Sequence, residues 1–264
     1  MKFGVLLKLS LDMSQIKLDE DGRPKIETPL RVSDIDKNAL EEAVRFKEKI
    51  GGKVTVLSVL KWGPKNVRER EIRELIRSVL AIGADEAYVV DDEKIYDADP
   101  SVTAFVLAEM VKKLGGFDVI FAGEGTIDGF SSQVPYRVAE ILGIRSVGYA
   151  RKVEVVDDNV FRVYCDYEDY TEVVEVNPPL LITVTQEINI PRLPTITQIL
   201  AASRKPFVRW NLNDVGLSEI INVTRVVSMK PLKVERKGIR IKGDTPQEIA
   251  KNLIQALLTE KVIG

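Results

Sequence analysis

No histidine occurs among the 264 residues, and cysteine occurs once, at Cys165. The first absence excludes Ser-His-Asp catalysis, histidine general-base chemistry and the usual zinc sites; the second excludes an intrachain disulfide framework and a multi-cysteine metal site. No apolar run approaches the ~20 residues of a membrane span. The start MKFGVLLKLSLD is too short and too soon charged for a signal peptide, so a cytoplasmic protein is expected. Two tryptophans, Trp62 and Trp210, need no ligand to explain them. What is present is ordinary globular composition, 45% hydrophobic and 30% charged. Charge is unevenly spread: from Pro191 onward 13 Lys and Arg face 6 Asp and Glu, so an acidic body carries a basic tail. Lysine and arginine are not clustered there as in a nucleic-acid arm, and the tail is expected to dock on the body or on another protein.

Along the chain, strand-like and helix-like segments alternate. Lys2–Leu9 reads as a first strand, and residues 12–32, broken by Gly22, Pro24 and Pro29, as an excursion outside the core. Ser33 with Asp36 three residues on resembles a capping box for a helix stopped by Gly51 and Gly52. Lys53–Leu60 is a second strand, Asn66–Ile82 a helix and Ala87–Val90 a third strand. Asp99-Pro100 opens a further helix, and Phe117–Phe121 is a fourth strand. Four such units predict an α/β, doubly wound, mainly parallel sheet. In that architecture ligands lie beyond the carboxyl ends of the strands, so the loops after Leu9, Leu60 and Phe121 should share one edge. Beyond Gly143, residues 147–163 and 172–186 alternate as added antiparallel strands, with a buried strand after Pro178-Pro179. A proline-rich stretch with a short helix follows. Residues 207–242 read as an extended arm, and Thr245-Pro246-Gln247-Glu248 caps a final amphipathic helix. The expected division is an α/β domain at 1–190 and a docking segment at 191–264.

The densest chemical signal is AGEGTIDGFSSQVPYRVAEIL, Ala122–Leu142. Three glycines between a strand and a helix N-terminus can turn backbone N–H groups toward an anion, although unliganded turns carry glycine too. Asp128 could meet a ribose or form a turn, and Ser131, Ser132 and Gln133 could meet phosphate or cap the helix. No G-x-G-x-x-G follows the first strand and no G-x-x-x-x-G-K-[ST] occurs. The glycine-rich loops of adenylate-forming enzymes and of stress-protein nucleotide binders are absent as well.

Several segments in order resemble the beta subunit of electron transfer flavoproteins. These are LLKLSLD (6–12), SDIDKNALEEAVRFKE (33–48), VLAIGADEAYVV (79–90), the glycine loop, and NIPRLPTITQILAASRKP (189–206). The chain departs from that family's pattern at Ser33-Asp34 and Leu9-Ser10-Leu11, and Asp34 and Glu124 add negative charge near the expected nucleotide. The resemblance implies an adenine-nucleotide-binding, Rossmann-like fold with no catalytic residue of its own. It also implies a heterodimer with an alpha subunit that holds redox-active FAD, and AMP or a second FAD bound here. Electrons would pass between dehydrogenases and an acceptor that is quinone-linked, or from NADH by bifurcation. Carried across, the nucleotide contacts are Leu6, Ser33, Asp34, Ile35, Asp36, Val59, Gly123, Glu124, Gly125, Thr126, Ile127, Asp128, Gly129, Phe130, Ser131, Ser132, Gln133 and Val134. Recognition of partners falls to Arg192, Leu193, Pro194, Thr195, Ile196 and Ile199, with Ile196 as hydrophobic anchor. From another class, a stand-alone adenine-nucleotide-binding or hydrolysing domain is the alternative. A structural subunit with an empty loop is a third.

Overall fold

A computed structural model describes residues 1–63, 65–96, 98–157, 160–227 and 237–263. In chain order the elements are β1 (Lys2–Leu6), β2 (Leu9–Leu11), β3 (Leu30–Val32), α1 (Asp34–Ile50), β4 (Lys53–Val59), α2 (Lys65–Ile82), β5 (Glu86–Val90) and α3 (Pro100–Lys113). Then come β6 (Val119–Gly123), α4 (Val134–Leu142), β7 (Arg145–Asp157), β8 (Val160–Tyr167), β9 (Tyr170–Val176), β10 (Leu180–Val184), α5 (Ile196–Ala202), β11 (Phe207–Trp210) and α6 (Pro246–Thr259). The chain divides into two units, Met1–Ser228 and Met229–Gly264.

The first unit is the doubly wound α/β fold. Its sheet runs β11-β5-β4-β1-β6-β10-β7-β8-β9 and is parallel from β11 to β7 and antiparallel from β7 to β9. Both faces of the central strands are buried, which is why β1, β4, β6 and β10 are nearly continuous in apolar residues. Side chains alternate between two cores. Phe3, Val5 and Phe121 pack with Leu40 and Phe46 on one face; Leu6 and Ile120 pack with Val106, Met110 and Val138 on the other. The chain leaves β1 toward β4 on one side and returns to β6 on the other, so the order reverses at β1. That reversal opens a crevice at the carboxyl ends of β1 and β6.

Three segments differ from the sequence reading. β1 ends at Leu6 because Lys8 turns inward onto buried acids, and the chain resumes as β2, antiparallel to β3. Leu9, Leu11, Leu30 and Val32 are all in the core, so the excursion at 12–32 returns to bury apolar surface. Leu180–Val184 pairs parallel with β6 and β7; within the nine-stranded sheet, antiparallel pairing is confined to β7–β9. Phe207–Trp210, read as the start of an extended arm, adds an edge strand parallel to β5, with Arg209 paired to Glu69 at 2.5 Å.

In the second unit, α6 begins as read from sequence: Thr245 Oγ1 accepts the Glu248 N–H at 3.2 Å. Glu248 reaches back one residue further than a standard capping box, to the Asp244 N–H at 2.9 Å. Ile249, Leu253 and Ile254 form an exposed apolar stripe. Among the described residues no helix is long and apolar enough to cross a membrane, and no cluster of three or more acids or cysteines could hold a metal.

Candidate functional site

The crevice at the strand reversal holds a cavity of about 220 Å³. Its apolar floor comes from Leu6 at the end of β1 and Leu7 after it, Val59 of β4, Leu107 of α3 and Ala122 of β6. Its polar wall comes from Lys8, Asp36, Lys61 and the glycine loop through Val134. The loops after β1, β4 and β6 therefore meet at one edge, as the strand order requires.

Glycine is needed where the loop leaves β6. A Cβ on Gly123 would sit 2.6 Å from Asp36 Oδ1 and 3.0 Å from Ile35 Cγ2. Beyond it, the N–H groups of Gly129 and Phe130 both turn back to the Thr126 carbonyl. Phe130 (φ 42°) and Ser132 (φ 53°) are left-handed, which costs on the order of 1 kcal/mol each in non-glycine residues. Among the described residues, the N–H groups of Thr126, Ser131, Ser132 and Gln133 donate to no backbone carbonyl. Gln133 is the N-cap of α4 and makes no side-chain cap hydrogen bond. Neither serine caps this helix, so the capping alternative fails and a row of backbone donors stays open to an anion.

The acids around the loop have different surroundings. Asp36 is 3% exposed, and its carboxylate accepts the N–H of Lys8 at 2.8 Å and that of Gly123. Burial pushes its pKa up to about 7 against those hydrogen bonds and the Lys8 charge. With Asp36 committed there, the expected capping box does not form, and the Ser33 hydroxyl is buried without a partner. Asp34 instead pairs with Arg31 at 2.6 Å and Lys37 at 2.9 Å and does not line the cavity. Its charge is compensated away from the expected phosphate. Glu124 does line the cavity, and burial together with Glu187 raises its pKa.

Residues 26–215 match the electron transfer flavoprotein domain. The chain belongs to the electron transfer flavoprotein family. Its relatives in this family include "electron transfer flavoprotein subunit beta" of Thermoanaerobacterium thermosaccharolyticum, 36% identical over 100% of both chains. The protein of the same name from Clostridium acetobutylicum is 33% identical over 99% of both. The "caffeyl-CoA reductase-Etf complex subunit CarD" of Acetobacterium woodii is 32% identical over 100% of both. The family's beta subunits thus match the chain from end to end, and an electron-transfer role follows.

Of the residues that the family resemblance points to, Leu6, Asp36, Val59, Gly123, Glu124, Gly125, Thr126, Gly129, Ser131, Ser132, Gln133 and Val134 line the cavity. Ser33, Asp34, Ile35, Ile127, Asp128 and Phe130 do not. Asp128 is the clearest case. Its carboxylate accepts from Lys8 Nζ, Thr126 Oγ1, Trp62 Nε1 and Leu11 N and has no face toward the cavity floor. Sequence reading missed Lys61, Pro100, Thr103 and Leu107 as lining residues. The N-terminal turn of α3 had a signal in Asp99-Pro100, since it follows a strand of the same sheet; Lys61 had one in its place directly after Leu60, where a loop at the ligand edge is expected.

The second family segment is built on α1. Asn38 Nδ2 donates to the carbonyl of Asn189 at 2.7 Å, and Asn189 Nδ2 donates to the Asn38 carbonyl and to Glu42, each at 3.0 Å. Arg192 forks onto Glu41 at 2.9 and 3.0 Å and onto Glu48 at 2.6 and 2.9 Å. Burial opposes ionisation of Glu41, but Arg192 and Arg45 outweigh it and hold its carboxyl below the usual range. Arg192, expected at the partner surface, is thus spent on holding the loop. Past this clamp Leu193 is 92% and Ile196 77% exposed, with Ile199 and Leu200 beside them. Thr195 and Gln198 form a full capping box for α5, a T-x-x-Q pattern readable in the sequence.

Proposed function

We infer that this chain is the beta component of a heterodimeric electron carrier and holds an adenine nucleotide by its phosphate in the cavity beyond β1 and β6. The observation that carries this reading is the set of open backbone donors at Thr126 and at Ser131–Gln133 leading into α4, in a cavity that Lys8 and Lys61 also line. An alpha subunit would hold FAD, which supplies the one- and two-electron chemistry when bound. This chain's residues bind and orient: the glycine loop takes phosphate oxygens, and Leu6, Val59 and Leu107 exclude water beneath. AMP bound here fits a simple carrier; a second FAD fits a bifurcating one drawing electrons from NADH.

The segment 191–264 would serve the interfaces. Leu193, Ile196 and Ile199 would dock on dehydrogenases or on a quinone-linked acceptor, and the basic arm with α6 would hold the alpha subunit. An apolar side chain on a pre-clamped loop loses little entropy on docking, which suits repeated transient contact. The cytoplasm is the expected compartment.

Co-expression with the alpha subunit, purification and denaturation test this. A yellow heterodimer releasing one FAD and one AMP supports the simple carrier, and two FAD per heterodimer supports bifurcation. A heterodimer that releases no nucleotide beyond the alpha subunit's FAD overturns the nucleotide assignment. Failure to obtain any flavin-containing heterodimer overturns the carrier reading, and ATP turnover by the chain alone favours the hydrolase alternative.

A further inference from the structure

Three loops that sequence separates widely are tied at one buried carboxylate. The Asp128 side chain is 1% exposed. Its Oδ1 accepts from the Lys8 ammonium at 2.7 Å and the Thr126 hydroxyl at 2.9 Å. Its Oδ2 accepts the Trp62 indole N–H at 2.9 Å and the Leu11 backbone N–H at 3.2 Å. Four donors therefore converge on two oxygens, from the loops after β1, β4 and β6 and from the end of β2. Burial alone would push the Asp128 carboxyl up, but Lys8, Thr126 and Trp62 outweigh it and keep it ionised. Two ammonium groups lie near the indole of Trp62, Lys8 at 5.9 Å and Lys61 at 5.7 Å from the ring centre. Both lysines line the cavity; Asp128 does not.

We propose that Asp128 is a positioning residue for the nucleotide site, clasping the glycine loop to Lys8 and Trp62 without touching the nucleotide. This rests on the nucleotide reading above. The physical case is one of saturation. A carboxylate already accepting four hydrogen bonds has no lone pair left in good geometry for ribose hydroxyls. What it sets instead is the gap between the open N–H groups of the glycine loop and the two lysines opposite. A cradle loosened at that point keeps every ligand-contacting group but holds them at the wrong spacing.

Ribose contact and positioning predict different things, which gives the test. Binding of AMP and of 2′-deoxy-AMP and 3′-deoxy-AMP is measured by calorimetry on the full chain, for wild type, Asp128→Asn, Asp128→Ala and Trp62→Phe. Positioning predicts that AMP affinity falls by about tenfold in Asp128→Asn and further in Asp128→Ala, in the range seen when supporting residues of a bound group are removed. It also predicts an unchanged ratio of AMP to deoxy-AMP affinity, and a smaller loss in Trp62→Phe, which deletes one donor and leaves the others. A ratio that collapses to one in Asp128→Asn makes Asp128 a direct ribose ligand and overturns the proposal. So does unchanged AMP affinity in both Asp128 variants. If Asp128→Ala does not fold, Asp128→Asn and Trp62→Phe still decide. A wild-type chain that carries no nucleotide and binds neither AMP nor its deoxy analogues overturns the nucleotide reading, and the proposal with it.

Discussion

Asp36 makes a definite demand on stability. Its carboxyl lies under the glycine loop, is 3% exposed, and is pushed from 3.8 up to about 7 by burial. Below pH 3.8 the group is protonated folded and unfolded, and contributes nothing. Between 3.8 and about 7 the folded chain keeps a proton that the unfolded chain has lost, so stability falls as pH rises through that window and levels off above it. At about 1.4 kcal/mol per pH unit, ionising Asp36 in place costs at most about 4 kcal/mol. The hydrogen bonds from the Lys8 and Gly123 N–H groups are already included in the position of the pKa. Asp36→Asn removes this dependence, because the amide is neutral at every pH and its oxygen still accepts the Lys8 N–H. The amide nitrogen finds carboxylate-shaped surroundings with only donors facing it, which costs on the order of 1–2 kcal/mol. The variant should therefore be less stable than wild type near pH 4.5 and more stable, by roughly 1–3 kcal/mol, near pH 8.5. Urea unfolding of both chains at intervals from pH 4.5 to 8.5, followed by far-UV circular dichroism, reads the difference directly. A difference that does not change over that range, or that moves the other way, refutes the argument.

Other changes follow from single contacts. Asp99 caps α3 through Ser101 and Val102 and also accepts the N–H groups of Val223 and Thr224 at 2.7 Å each. Those bonds outweigh burial and hold it at about 2, so its contribution is present above pH 3.8 and is lost as pH falls toward 2. Asp99→Ala should cost about 2 kcal/mol and free the Val223 and Thr224 amides to exchange with deuterium faster than the core. Gly123→Ala should cost about 1–3 kcal/mol in thermal unfolding, because the new methyl would lie 2.6 Å from Asp36 Oδ1, and should abolish retention of nucleotide. Arg192→Ala leaves the Glu41 carboxylate, whose side chain is 3% exposed, with Arg45 at 2.9 Å but without its fork; a loss of roughly 2 kcal/mol is expected, with Arg192→Lys recovering less than half. Leu193→Asp and Ile196→Asp should leave the melting temperature within a degree or two and weaken dehydrogenase docking by about 30-fold or more in surface-binding assays, since both side chains already face water.

The parts of the fold that depend on apolar patterning were legible. The β-branched runs at 53–60 and 117–121, the glycine stop at residue 51 and the Asp99-Pro100 start all became the elements expected of them. Errors gathered where polar residues decide. Lys8 interrupts an apolar run, and only the structure shows that it turns onto Asp128 while its own N–H goes to Asp36. β11 is short and half-buried, so Phe207–Trp210 has no periodicity to read; it exists because β5 offers an open edge. At the site, glycines and helix start were visible in sequence, because backbone shape needs particular residue types. Whether Asp34 and Glu124 face the pocket was not, because a carboxylate's direction depends on partners such as Arg31 and Glu187, remote or adjacent in sequence.

The segment DIDKNALEE shows why. Read as a helix, its acids look like a solvated face, yet Asp36, Asn38, Glu41 and Glu42 are all buried. Each meets a different loop. Asp36 takes the N–H groups of Lys8 and Gly123 at the cavity; Asn38 and Glu42 interlock with Asn189; Glu41 holds Arg192. At 1.5 Å per residue, Asp36 and Glu41 are only about 8 Å apart along the helix axis. The N-terminal turns of α1 therefore carry both part of the cavity's polar wall and the footing of the exposed loop at Leu193–Leu200. Buried polar groups are costly unless every one is paired, so these positions tolerate little exchange even though none needs to touch a ligand. Three buried acids and a buried amide on one helix are thus the mark of a shared scaffold for two surfaces. The apolar residues between them, Ala39, Leu40 and Ala43, only fix that scaffold to the sheet.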